Sequence, residues 1–280
     1  MNAPDRLIPM VPERSVTSAR ASSWGSLFDC AFRWEGEHLL GMRKSAGLRA
    51  QLGTALHAST AKYDSSRLPG GDPISVDDAA GVFVDTLTHP DRDVDYAQDE
   101  LTLRDAEKIG LSLHTSYCLD IAPRFQFQSV EATLKPLDID CGNGTVVRLT
   151  GTMDRARVAT TPAGPVIPDI KSGARVMERG AVVIKGRSAQ LGTYQLMYEQ
   201  EHLTPTAGAQ VIGLHTSSKP SVGVSPVFDA RRVMVGTDDS PGLIEIAAAM
   251  FRTGLFPPNP QSLLCSQRYC ARWSTCAYHE

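Results

Sequence analysis

The chain has no apolar run long enough to span a bilayer. Nor is there a continuous apolar segment near its start. Residues 1–15 alternate polar residues, prolines and isolated apolar side chains, so no secretory signal is expected. Internal repeats and long low-complexity runs are also missing, which leaves ordinary folded structure as the expectation. Positive charge is not in surplus. Lys and Arg number 28 against 31 Asp and Glu, a net charge of -3. No overall basic field therefore advertises a nucleic-acid partner, and only a local basic face could serve one. These absences point to a cytoplasmic protein. In that compartment six cysteines are expected as thiols or metal ligands rather than disulfides.

What is present is length and balance. A chain of 280 residues, 42% hydrophobic and 21% charged, can bury a sizeable core. Its first part reads as helical. A helix is predicted over 17 to about 41, where Trp24, Leu27, Phe28, Ala31 and Trp34 fall at spacings of three and four. Thr17 and Ser18 can cap it. A second helix is predicted over 48–63, with Leu48, Leu52, Ala55, Leu56 and Ser59 on its inner side. His57 sits beside that side. Such a histidine is ordinarily a hydrogen-bonded core residue, but the small Gly53 and Ala55 let another segment approach closely and favour a site. After a loop over 65–73, helices are predicted over 75–87 and 98–121.

The pattern then changes to alternation of period two. Strands are predicted over 125–139, 145–158 and 165–170, with turns at Gly142-Asn143-Gly144 and at 160–164. A basic loop over 172–185 leads into a helix over 188–202. Strands at 209–216 and 222–228 follow, then a helix over 240–252 with Asp238 and Asp239 at its positive end. Cys118 reads as structural, and Cys141 carries no assigned role. The fold class expected is α/β, more narrowly α+β. Four segments are expected: a flexible start at 1–16, a helical region at 17–124, a core at 125–254 and a cysteine-bearing tail at 255–280.

Chemistry concentrates between Gly151 and Gln195. Asp154 closes Gly151-Thr152-Met153-Asp154 on one strand, and Asp169 lies at the end of the next. Neighbouring antiparallel strands bring such residues close. Asp169 and Lys171, two apart, share a face. Two converging carboxylates repel unless a cation joins them, and hard oxygen ligands suit Mg2+ or Mn2+. A lysine on that face can orient or deprotonate a water. Asp-x-Lys alone is common on solvated hairpins, so the helix that follows matters. There Gln190 and Tyr194, four apart, share one face.

The tail carries Cys265, Cys270 and Cys276 after a proline-rich loop. Three thiolates need a fourth ligand to close a zinc site or a [4Fe-4S] cluster. Cys30 is one candidate, and His279 is the local one that would indicate zinc.

In this order the pieces resemble the RecB-like branch of the PD-(D/E)XK nucleases, with a restriction-endonuclease-like mixed sheet flanked by helices. More narrowly they are similar to the CRISPR-associated RecB-like iron–sulfur exonucleases and their phage relatives. The resemblance runs from Ser18 to Cys276. It rests on Cys30, the Gly-Thr-x-x-His motif ending at His57, Gly-x-x-Asp ending at Asp154, Asp169-x-Lys171, Gln190-x-x-x-Tyr194 and the cysteine triplet. The cysteine gaps are wider than is common in that family, which keeps zinc open.

The resemblance implies metal-dependent DNA cleavage in a bacterial or phage-infected cytoplasm. His57, Asp154, Asp169 and the Ile170 carbonyl would hold Mn2+ or Mg2+. Lys171 would activate water, and Gln190 and Tyr194 would support the site and contact DNA. Cys30, Cys265, Cys270 and Cys276 would hold a [4Fe-4S] cluster. Single-stranded DNA is the implied substrate, with recombination or CRISPR-adaptation proteins as partners. The basic residues Arg175, Arg179, Lys185 and Arg187 could track a backbone or simply be solvated. The competing readings are a non-catalytic DNA-binding module on the same scaffold, and a metal–thiolate protein without nucleic-acid function.

Overall fold

A computed structural model describes residues 14–159 and 162–279. Most of the start expected to be flexible, and two residues of the turn expected over 160–164, lie outside the described residues.

The first predicted helix is corrected. Residues 15–20 form a strand, β1 (Ser15–Arg20), and helix begins only at α1 (Trp24–Asp29). Thr17 and Ser18 therefore cap nothing. They pair in parallel with a segment some 130 positions later in the chain, through Thr17–Val147 and Ser18–Arg148. A second break follows at Cys30, whose extended backbone (φ -152°, ψ 99°) separates α1 from α2 (Ala31–His38). The apolar spacing survives the break because both short helices bury one side: Trp24, Leu27, Ala31 and Trp34 are all buried.

Next come α3 (Leu48–Ser65), α4 (Val76–Thr88) and α5 (Leu103–Ser116). Ser75 caps α4 in a reciprocal capping box with Asp78. The Thr102 hydroxyl caps α5, so this helix starts five residues later than the predicted 98. Its predicted end at 121 holds, but the last turn is π-helical over Tyr117–Ile121.

Both long predicted strands are cut in two. One becomes β2 (Phe127–Thr133) and β3 (Leu137–Asp140), parted at Pro136, which has no N–H for a ladder. The other becomes β4 (Thr145–Thr150) and β5 (Thr152–Arg157), parted at Gly151. A Cβ on Gly151 would stand 2.7 Å from a Tyr194 ring carbon, so only glycine lets the helix bearing Tyr194 pack there. The Gly142-Asn143-Gly144 turn forms as predicted, all three residues at positive φ. β6 (Val166–Gly173), α6 (Ser188–His202), β7 (Gly208–His215) and β8 (Ser221–Val224) follow. A short helix not predicted, α7 (Arg231–Val235), precedes α8 (Leu243–Thr253). Asp238 and Asp239 lie in the hairpin joining Gly236–Thr237 to Ser240–Pro241, not at the helix start. The first-turn acid of α8 is Glu245.

The main sheet has the order β8-β7-β6-β5-β2, with β6 and β7 parallel and the other pairs antiparallel. β1, β4 and β3 make a smaller mixed sheet. One core joins Trp24, Trp34, Leu191 and Tyr194 to Ile167 and Val211. The other joins Leu52, Leu56, Phe83, Leu113 and Tyr117 to Ile170 and Ile212. Helices thus cover both faces of a mixed sheet, which is the restriction-endonuclease-like arrangement expected.

A buried ion pair ties α3 to this sheet. Arg155, fully buried on β5, donates through Nε to Asp64 Oδ2 at 2.7 Å. Tyr117 donates its hydroxyl to the same oxygen, and Arg155 Nη2 reaches Thr60 Oγ1 at 3.4 Å. Arg155→Met removes the cation and leaves the Asp64 charge buried and unpaired. Urea titration should show a loss of about 3–5 kcal/mol of stability, with part recovered in Arg155→Met/Asp64→Asn.

Candidate active site

The sheet opens where β5 meets β6. Their ladder has a single pair among the described residues, Arg157 with Val166. Three residues further along each strand, Asp154 stands across from Asp169. There the Asp154 side chain substitutes for backbone pairing: its Oδ2 accepts the Ile170 N–H at 2.8 Å. A carboxylate inserted between strands is thereby held at one fixed depth.

Asp169 is fully buried. Its Oδ2 lies 2.7 Å from Lys171 Nζ, the same-face partner expected. The two form a close ion pair with its carboxylate end wholly buried and its ammonium end partly exposed. Oδ1 accepts from Gln190 Nε2 at 3.3 Å, and the same amide donates to Tyr194 Oη at 3.2 Å. Gln190 and Tyr194 thus share a face of α6, as read from sequence, and the Gln190 amide is directed at the site's own residues. Burial pushes the Asp169 carboxyl up. Lys171 opposes that shift and Asp154 adds to it. Burial likewise raises the Tyr194 phenol, so it stays protonated.

His57 arrives from α3, with Nδ1 3.4 Å from Asp154 Oδ2. The close approach expected of its helix is present, since a Cβ on Gly53 would stand 2.9 Å from Ser172 Oγ.

Sequence reading missed Glu131. His57, Asp154 and Glu131 each place a donor atom within 4.8 Å of the other two. Asp169, beside this group, also contacts Lys171 and Gln190. On its alternating strand Glu131 resembles any outward acid. The available signal was its register, because β2 pairs Val130 with Arg155 and Ala132 with Met153, leaving Glu131 across from Asp154. Burial raises the Glu131 carboxyl, and Asp154 raises it further against Arg155 and His57.

The donor set suits a hard divalent cation. It offers two carboxylates and one imidazole converging on one point.

The four cysteines expected to act together line one cavity. Cys30, at the break between α1 and α2, meets Cys265, Cys270 and Cys276 there, and no two are joined as a disulfide. Two backbone N–H groups point at sulfur: Asn259 at Cys30 Sγ (3.4 Å), and Arg272 at Cys270. Burial raises the Cys270 thiol, with Cys30 and Cys276 adding to the shift. Such surroundings fit thiolates shared with a cationic centre. His279 also lines the cavity, stacked on Trp273 with ring centroids 4.2 Å apart. Cys118 is remote from it, buried, with its thiol pushed up to about 12 by burial and Asp64. That agrees with its structural reading.

The tail is fixed to α1 and α2 by more than sulfur. Ser262 donates to Asp29 Oδ2 at 2.6 Å, Asn259 donates to the Asp29 carbonyl at 2.8 Å, and Arg272 pairs with Glu35.

Comparison with known proteins agrees with this architecture. The family model described as the PD-(D/E)XK nuclease superfamily matches residues 21–277. Among solved structures the chain is similar to a "putative exonuclease" from Eubacterium rectale. That match has a TM-score of 0.54 and 12% identity, and covers 86% of this chain and 84% of the other. No curated protein matches.

The Asp169 shift has a measurable sign. With its folded pKa above the unfolded value, its contribution to stability is complete below the ordinary value of 3.8. That contribution is lost as pH rises through the folded value. Asp169→Asn should therefore be the more stable protein at neutral pH in the presence of chelator. Thermal melts from pH 8 down to pH 3 should show the advantage disappearing on acidification.

Proposed function

Because the chain belongs to the PD-(D/E)XK nuclease superfamily, we propose that it is a metal-dependent DNA exonuclease acting on single-stranded ends. The observation that carries this reading is the grouping of Asp154, Asp169, Lys171 and His57 where β5 and β6 part. His57, Asp154, Asp169 and the Ile170 carbonyl are the proposed ligands of Mg2+ or Mn2+. When bound, such a cation supplies Lewis-acid stabilisation of phosphate charge and lowers the pKa of water.

The remaining chemistry belongs to the chain. Lys171 Nζ, paired with Asp169 and partly open to solvent, positions the attacking water and takes up or returns its proton. Gln190 holds Asp169 in place through Oδ1, and Tyr194 receives the second Gln190 contact. Arg175, Arg179 and Lys185 are exposed on the loop that follows β6, and Arg187 begins α6. They make the segment that follows Lys171 locally basic in a chain with no overall positive charge. Such a segment suits the phosphates of a single strand.

The finer placement is with the RecB-like iron–sulfur exonucleases related to CRISPR and phage proteins, with DNA recombination or CRISPR-adaptation proteins as partners. Support comes from the four cysteines on one cavity and the N–H groups aimed at Cys30 and Cys270. Cys30, Cys265, Cys270 and Cys276 would hold a structural [4Fe-4S] cluster. Zinc is the alternative, with His279 at hand.

Two measurements test this reading. Purified protein should be brown and carry about four iron atoms per chain. Colourless protein with one zinc and no iron would overturn the cluster. End-labelled single-stranded DNA should be degraded with Mn2+ or Mg2+ and spared with chelator, the 5′ and 3′ labels reporting polarity. Asp169→Ala and Lys171→Ala should each lower the rate by about 100-fold or more. Undiminished degradation by these variants would remove them from catalysis. DNA binding without cleavage by the native protein would favour a non-catalytic module.

A further inference from the structure

Glu131 lies outside every motif that carries the family resemblance, yet it is placed in the site at some cost. Its backbone is left-handed (φ 49°), a conformation that L residues other than glycine, Asn and Asp seldom adopt and that is retained mainly where function requires it. Its position on β2 sets it across the ladder from Asp154, and like charges directly opposite one another destabilise a sheet. The surroundings relieve this only in part. Arg155 reaches Glu131 Oε1 only at 3.3 Å, while making its closer bond, 2.7 Å, to Asp64. The Arg155 charge is thus already engaged, and Glu131 is not needed to satisfy it.

What the position does achieve is convergence. The Glu131 carboxylate comes within 4.8 Å of donor atoms of both His57 and Asp154, and the side chain is 44% exposed, open to an entering ion. A strained backbone, a repulsive pairing and a shared focus with an imidazole have one common resolution, a cation between them. We propose that Glu131 is a direct ligand of the divalent cation, together with His57 and Asp154, and that Arg155 steers its carboxylate into place. The proposal rests on the cation-binding part of the function given above and not on cleavage.

The test is calorimetric titration of Mn2+ into chelator-stripped full-length protein, with Mn2+ electron paramagnetic resonance as a second readout. Glu131→Gln and Glu131→Gly should each bind Mn2+ at least about tenfold more weakly than the native protein. Glycine suits the left-handed backbone, so Glu131→Gly should melt no lower than the native protein without metal. Its weakened binding then cannot be assigned to unfolding. Native-like Mn2+ affinity in Glu131→Gln would overturn the proposal. So would a lowered metal-free melting temperature in Glu131→Gly with unaltered affinity, the pattern of a purely structural residue. Should Glu131→Gly fail to fold, Glu131→Gln decides alone.

Cleavage of labelled DNA is measured in parallel and fails separately. Native protein that binds Mn2+ through Glu131 but leaves DNA intact would remove the exonuclease reading and keep this one. Cleavage by native protein, with Glu131→Gln binding normally, would do the reverse.

Discussion

The buried Arg155–Asp64 pair sets the geometry on which the site depends. His57 belongs to a helix, while Asp154 and Asp169 belong to strands, and nothing in local structure fixes the distance between the two layers. Asp64 lies seven residues beyond His57, about two turns along α3. Arg155 follows Asp154 directly on β5, and both meet α3. One ion pair at 2.7 Å therefore fixes the helix carrying the imidazole against the strand carrying the carboxylate. Taking both charges out of water offsets most of their attraction, so the pair adds little net stability. Its contribution is positional, since an apolar pair of equal volume would leave the slide of α3 along the sheet less defined.

The site itself opposes folding in the absence of metal. Burial drives Asp169 toward its neutral form, and Asp154, across from both Asp169 and Glu131, adds repulsion. The local compensations are specific. Lys171 faces Asp169, Gln190 donates to it, and the Ile170 N–H satisfies Asp154. That last bond also explains why the β5–β6 ladder stops. A backbone N–H given to a side chain cannot join the sheet, and the gap this leaves is where Asp154, Asp169 and Lys171 meet. Sheet irregularity and site chemistry are here one feature.

Much of this was legible in sequence, and the limits have physical causes. The helices carrying His57 and Gln190 were readable because Leu48, Leu52 and Ala55 in one, and Leu191, Tyr194 and Tyr198 in the other, recur at spacings of three and four. Asp169-x-Lys171 was readable because strand periodicity puts both on one face whatever the fold. The helix predicted from Thr17 failed because short runs of Ser and Thr serve equally as caps and as strand. The choice was made by the distant partner at Thr145–Thr150. The strands split at Pro136 and Gly151 were misread because alternation continues across both breaks. Glu131 was hidden for a related reason. Its role is set by register against Asp154 and by one left-handed residue, and neither leaves a mark in local composition.

The break at Cys30 connects the two ends of the chain. An unbroken helix from Trp24 to His38 would have kept the residue 30 backbone helical. The extended residue there turns Cys30 toward the tail and lets the Asn259 N–H reach its sulfur. Gly36, under two turns on, has no room for a Cβ, which would stand 2.4 Å from Arg272 Cγ. Arg272 lies over the Phe32 ring and pairs with Glu35. The tail is thus held to α2 by an ion pair, a cation–π contact and hydrogen bonds even before any metal is considered. Those contacts act across more than 220 intervening residues (Glu35 to Arg272). Loop closure of that length is costly in entropy, and short polar contacts repay it poorly. A multidentate centre on four thiolates is far better suited to hold such a closure. The contacts would then orient the sulfurs, and the centre would secure them.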